Sequence, residues 1–356
     1  MPKNDDAIIN RLNELYELYK GADQNDNKLP LNSNTKYALF SDLHLGDGKK
    51  VDNFEHNEET MKFALNHYKN NGYSIILLGD VEEFWQFKFS KIRHRYNKNI
   101  YKLLRSFPDK KVHRIFGNHD MEWKRGRLSD PSINNGDILA RVPEAIMLYD
   151  DIFLVHGHQG DNLCDRKASH SRFWVRSFKI FIPIMKIFGY ENYSATKSQI
   201  PKDREKLYYN WAKKNKIIII CGHTHRAIFA SQSYYRWLKE QIELKKSEKK
   251  QCSTDQEKCK ELLKYIKKLK KDLHSEKRRG RDISPLETEG EPLPCYFNTG
   301  SGLYNKGITN IEIEGDKIRL IKWQRDKSLT PEKRRKELWD EKSLSEIKKK
   351  INIKSL

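Results

Sequence analysis

The sequence predicts an α/β protein whose buried strands end in polar loops, and three observations carry that expectation. A short apolar run followed by a Gly/Asp/His/Asn cluster recurs five times between residues 36 and 221. Stretches with apolar residues at helical spacing separate the first three runs. At 356 residues the chain is long enough for one large domain with insertions, or for two smaller domains, with a substantial core.

The start, MPKNDDAIINRLNELYELYK, reads as an amphipathic helix through Ile8, Leu12, Leu15 and Tyr19. It lacks the apolar stretch behind a basic one that marks a secretory signal. Next come the five runs: YALF before SDLHLGD, SIILL before GDVEEFW, KVHRIF before GNHD, DIFLV before HGHQGD and KIIII before CGHTH. Such runs read as strands buried in a layered sheet. Phe54, Met61, Ala64, Leu65 and Tyr68, then Ile92, Tyr96, Ile100, Leu103 and Phe107, mark the intervening helices, so the domain begins β-α-β-α-β. AIMLYDDIFLV predicts a tight hairpin joined at Asp150-Asp151. CYFNTGS and ITNIEIEGDKIRLIKW are strand-like, the latter turning at Glu314-Gly315-Asp316.

These readings divide the chain into an N-terminal helix and linker (1–35), a main domain (36–325) and a charged helical tail (326–356). Two segments interrupt the domain, at about 162–215 and 236–290. Residues 165–216 hold thirteen Lys/Arg against four Asp/Glu, and 236–282 hold seventeen against nine. Within the first, RFWVRSFKIFIPIMKIF puts Trp174, Phe178, Phe181, Ile182, Met185 and Phe188 on one helical face and Arg172, Arg176, Lys179 and Lys186 largely opposite, with a kink at Pro183. That pattern suits either a lid packed on its own protein or a helix resting on an anionic bilayer. The formal net charge of +20 favours phosphates, nucleic acid or an anionic membrane. No uncharged run approaches the length of a membrane span. The five cysteines are odd in number and lack paired zinc spacing, which suits a reducing cytosol.

In α/β sheets, sites form beyond the carboxyl ends of the strands. There this sequence places Asp42 and His44, Asp80, Asn118 and His119, His156, and His223 with His225. The oxygen and nitrogen donors suit borderline divalent ions such as manganese, iron or zinc, and seven of them are too many for one catalytic ion. D-L-H, G-D-V-E-E, G-N-H-D, H-G-H and G-H-T-H, in this order, resemble the five motifs of the calcineurin-like metallophosphoesterases over roughly residues 36–325. The resemblance implies a four-layer α/β/β/α sandwich with a helical lid insertion and a second helical insertion. It implies two ions, manganese foremost: Asp42, His44 and His225 on one, Asn118, His156 and His223 on the other, and Asp80 shared. His119 then stabilises phosphoryl oxygens or protonates the leaving oxygen, and Glu83 stands where relatives often carry an Asp that orients this histidine. The expected function is hydrolysis of a phosphodiester or pyrophosphate by metal-bridged hydroxide.

Within the superfamily, SDLHL, GDVEEFW, the helical insertion and NTGS are most similar to the UDP-2,3-diacylglucosamine pyrophosphatase branch, which implies a lipid-linked substrate and a cytoplasmic enzyme at the inner membrane face. The sequence departs from that branch at His119, where arginine is usual. A nuclease acting on DNA or RNA is the first alternative, without a recognisable nucleic-acid module. A non-catalytic interaction scaffold is the second, although scaffolds tend to lose ligands and all seven are present. Neighbouring residues have simpler readings: His158 and Asp161 as loop residues, Asp47 as a turn cap, Asp120 as a loop brace, Phe84 and Trp85 as core, and Asn298, Thr299 and Gly300 as closing the rim or making a turn.

Overall fold

The computed structural model describes residues 2–20, 27–126, 128–129, 139–140, 142–161, 199–251, 256–278, 286, 292–325 and 336–353. In chain order these form α1 (Pro2–Lys20), β1 (Lys28–Leu29), β2 (Lys36–Phe40), α2 (Glu58–Asn70), β3 (Ser74–Leu78), α3 (Phe89–Tyr96), α4 (Ile100–Arg105) and β4 (Val112–Ile115). There follow β5 (Leu128–Ser129), β6 (Leu139–Ala140), β7 (Ala145–Leu148), β8 (Ile152–Val155), α5 (Gln199–Asn215), β9 (Ile218–Cys221), β10 (Ala227–Phe229) and β11 (Gln232–Ser233). Helices α6 (Tyr234–Gln251) and α7 (Gln256–Arg278) precede β12 (Tyr296–Thr299), β13 (Gly307–Glu314), β14 (Lys317–Gln324), β15 (Lys336–Ser343) and α8 (Leu344–Ile353).

Two sheets carry the fold, ordered β15-β14-β13-β2-β3-β4 and β1-β7-β8-β9-β12-β10-β11. Strands β2, β3 and β4 are parallel, as the β-α-β-α-β start predicts. Alternation along the strands assigns the layers, since successive side chains point to opposite faces. Ala38, Phe40, Ile75 and Leu77 pack with Met61, Leu65, Tyr96 and Tyr101 of the helices outside the first sheet. Leu39, Ile76 and Leu78 pack inward with Ile146, Leu154, Ile220 and Phe297 of the second sheet. On that sheet's far side lie α1 and α5, where Tyr16, Phe153 and Trp211 meet at ring-centroid distances of 5.4 to 5.8 Å. The result is the α/β/β/α sandwich.

Several elements differ in detail from the sequence reading. The single helical stretch from Ile92 to Phe107 is two helices, broken where the Asn99 side chain accepts the Ile100 N–H at 3.2 Å and caps α4. The expected linker includes β1, which pairs parallel with β7 through Lys28↔Met147. The expected helical tail is a correction: Lys336–Ser343 is a strand on the open edge of β14, and only then does α8 begin. Trp339 decides this, stacking on Tyr234 at 3.6 Å and burying itself against the sheet, a contact that the local charge pattern does not reveal. The second insertion is the pair α6 and α7, joined by Leu238, Ile242 and Leu269. Of the first insertion, α5 is described; the amphipathic stretch 172–188 lies outside the described residues. Both predicted hairpins form, with Leu148 opposite Ile152 and Glu314 opposite Lys317. Among the described residues no helix is long and apolar enough to cross a membrane.

Candidate metal centre

The five loops leave the ends of β2, β3, β4, β8 and β9 and are stitched together through backbone bonds. Asp42 N–H donates to Gly79 O at 3.2 Å, His44 N–H to Asp80 O at 2.9 Å, Phe84 N–H to His119 O at 3.2 Å, and Gly222 N–H to His156 O at 2.8 Å. The approach is close enough to require glycine. A Cβ on Gly79 would stand 2.6 Å from Gly117 N, and one on Gly117 would stand 2.2 Å from the Asp80 carboxylate. Asp42, His44, Asp80, His223 and His225 all have φ between 51° and 66°. Left-handed backbone at non-glycine residues costs about 1–3 kcal/mol each and gathers at functional sites. Here it turns five side chains back over the strand ends.

Their donor atoms converge. Asp42, His44 and His225 form one group, Asp80, His156 and His223 a second, and His44, Glu83 and His119 a third, each with its donor atoms within 4.8 Å of one another. His225 Nε2 lies 3.1 Å from Asp42 Oδ1 and 3.2 Å from His44 Nε2. His156 Nε2 lies 3.1 Å from Asp80 Oδ2. Asn118 sits beside His119 on the loop after β4; its carbonyl accepts the Trp85 indole N–H at 2.9 Å.

The outer nitrogens of two rings are spoken for. His44 Nδ1 lies 3.0 Å from Glu83 Oε2, and His156 Nδ1 donates to Leu78 O at 2.7 Å. Those bonds fix the tautomers and turn the Nε2 lone pairs toward the carboxylates. A lone pair facing a carboxylate is repulsive unless a cation or proton stands between them. His156 Nε2 and Asn118 Oδ1 are moreover buried without a hydrogen-bond partner. The chain's own residues therefore fit divalent ions, with the mixed donors expected for manganese, iron or zinc.

Electrostatics point the same way. Burial raises the Asp80 carboxyl pKa, yet the charges of His156, His119 and His44 outweigh it and hold the group ionised well below the usual range. Burial lowers His156, but Asp80 and Asp42 carry it up to about 9. His119 is likewise raised to about 9, because Glu83 and Asp80 overcome burial, while Glu83 is pulled down to about 2 by His119 and His44. His119 Nδ1 is 2.8 Å from Glu83 Oε2 and its ring stacks on Trp85 at 4.0 Å. Its side chain is 20% exposed against 0% for Asp42.

Several residues have roles that the sequence reading left open or missed. Glu83 meets His44 as well as His119. Asp120 braces its loop by accepting Val81 N–H and Gly117 N–H at 2.8 and 2.6 Å. Trp85 is buried, as expected of core, but packs on the site. Asn298 closes the rim by donating to Gly222 O at 2.6 Å. Ser41 donates to the Asp42 carboxylate, and Tyr304 donates to His225 O at 2.7 Å. Glu82 sits beneath the site, accepting from Tyr101, Arg114 and Trp123 at 2.6 to 2.9 Å. Arg204, from α5, donates to His223 Nε2 and pairs with Asp161. Ser41 adjoins a motif and Glu82 lies within one; Arg204 and Tyr304 have no local signal at all.

A family model described as calcineurin-like phosphoesterase matches residues 35–227, more than half of the chain and a range that includes all five loops. The chain belongs to the calcineurin-like phosphoesterase family. Together with the three donor groups, membership supports a metal-dependent phosphoesterase with a divalent metal centre. Among solved structures, Vacuolar Protein Sorting 29 from Cryptosporidium parvum is similar at 11% identity, with 87% of this chain and 98% of that chain covered and a TM-score of 0.36. A likeness at that level adds nothing to the assignment. No curated protein matches the chain.

Proposed function

We propose that the chain is a two-metal phosphoesterase that hydrolyses a phosphodiester or pyrophosphate bond. The observation that carries this is the convergence of imidazole lone pairs on Asp42 and Asp80 while the outer nitrogens of His44 and His156 are tethered. Asp42, His44 and His225 would hold one ion, Asn118, His156 and His223 the other, and Asp80 both. Bound there, the ions would neutralise phosphoryl charge and lower the pKa of the attacking water. The chain's own part is then positioning and proton handling. Glu83 fixes the Nδ1 side of His119, which leaves Nε2 to hold a proton for the leaving oxygen. Trp85 keeps that ring in plane beneath the substrate space.

The substrate proposal follows charge. A lipid-linked pyrophosphate at an anionic inner-membrane surface fits the basic first insertion, each basic residue there adding about 1 kcal/mol of attraction. A nuclease is favoured by a different observation: α7 exposes Lys258, Lys260, Lys264, Lys267, Lys270 and Lys271. Manganese-loaded protein assayed against an aryl phosphodiester, a phosphomonoester, a lipid pyrophosphate in anionic liposomes and single-stranded DNA separates the two. Trp174→Glu with Phe178→Glu should slow only the lipid substrate. For the assignment itself, Asp80→Ala should abolish every activity and lower bound metal; full activity with unchanged metal content sinks it.

A further inference from the structure

We infer that Arg204 seats an anionic phosphoryl oxygen beside Asp80, His156 and His223, an inference that rests on the phosphoesterase reading above. Arg204 rises from α5, outside the five motifs, and is only 7% exposed. One terminal nitrogen donates to His223 Nε2, the other pairs with the Asp161 carboxylate, and the buried Nε has no acceptor. Asp161, 3% exposed, holds the guanidinium from the loop after β8. Burial without full hydrogen bonding is costly for a guanidinium, so a purely structural role explains neither its depth nor its free N–H.

The position explains both. Arg204 touches the ring of a residue whose donor atom groups with Asp80 and His156. A fixed positive charge at the edge of a set suited to cations is repelled by them unless an anion lies between. A phosphoryl group is such an anion, and the unpartnered Nε–H is the donor left to meet one of its oxygens, with Asp161 and His223 holding the guanidinium plane. His158, on the same loop and fully buried, has neither ring nitrogen partnered, and its ring centroid is 6.5 Å from that of His223. This corner therefore holds donors and acceptors that the protein itself leaves unmatched.

The test is calorimetric titration of inorganic phosphate into manganese-loaded wild type, Arg204→Gln and Arg204→Lys, with metal content and KM against kcat measured alongside. A charge-assisted hydrogen bond contributes enough that Arg204→Gln should weaken phosphate binding by about 10- to 100-fold and raise KM, with bound metal unchanged. Arg204→Lys keeps the charge without the Nε–H and should fall between. Unchanged phosphate affinity in metal-loaded Arg204→Gln overturns the inference, and so does loss of metal, which would make Arg204 a support for the donor set. Should the Gln variant fail to fold, equal phosphate affinity in Arg204→Lys and wild type overturns it. A wild type that takes up no ion and hydrolyses no ester sinks the phosphoesterase reading and this inference together; an active wild type indifferent to Arg204 sinks the inference alone.

Discussion

His119 is bonded to Glu83 on one edge and stacked on Trp85 on one face, and its ring belongs to neither of the two donor groups around Asp42 and Asp80. Its removal is therefore expected to spare the metals and slow the chemistry. His119→Ala should retain metal content by elemental analysis while kcat falls about 10²- to 10⁴-fold, the usual contribution of a positioned acid or base. Loss of an ion would assign the ring to coordination instead. Glu83 differs from His119 because it also orients His44, so its truncation should disturb both turnover and metal retention. The longer carboxylate, where relatives often carry Asp, reaches both rings at once.

At the scale of elements, three neighbouring strands of the first sheet are tied at one end by charge. Glu314 at the end of β13 accepts from Arg319 of β14 at 2.7 Å and pairs with Lys36 of β2 at 3.0 Å. Those partners pull its pKa down to about 2. A folded-state pKa below the unfolded value stabilises the fold above the ordinary carboxylate range, and that contribution disappears as pH falls through the folded value. The difference in melting temperature between wild type and Glu314→Gln should hence be present at pH 6 and shrink between about pH 4.5 and 2. A difference that persists at the acid end would assign the effect to packing. The carboxylate is 34% exposed, so screening keeps the effect small.

At the scale of the whole molecule, the two sheets meet where the loops converge, and bound ions would link loops from both. Chelation is expected to lower the melting temperature by on the order of a few degrees, because an ion at 100 times its Kd adds about 2.7 kcal/mol to the folded state. Differential scanning calorimetry with and without a chelator, then with manganese restored, checks this. A melting temperature indifferent to chelator and metal would mean that the donor groups hold no ion in the folded protein.

The sequence by itself determined the five strands that precede the polar loops, the β-α-β-α-β start, both hairpins and the polar residues at five strand ends, because each is a local pattern of apolar period and turn chemistry. Asp42, His44, Asp80, Asn118, His156, His223 and His225 were legible for the same reason: each ends a buried run. Only the tertiary structure decided which of them meet. His44 and His225 are 181 residues apart in the chain, and their contact at 3.2 Å exists only because β2 and β9 lie in facing sheets. Glu83's hydrogen bonds to His44 and His119, the reach of Arg204 into the site, and the strand that opens the tail all depend on partners distant in sequence. A charged segment such as Lys336–Ser343 reads equally as helix or strand until Trp339 finds Tyr234 and the free edge of β14, since local spacing records propensity and only packing records the partner.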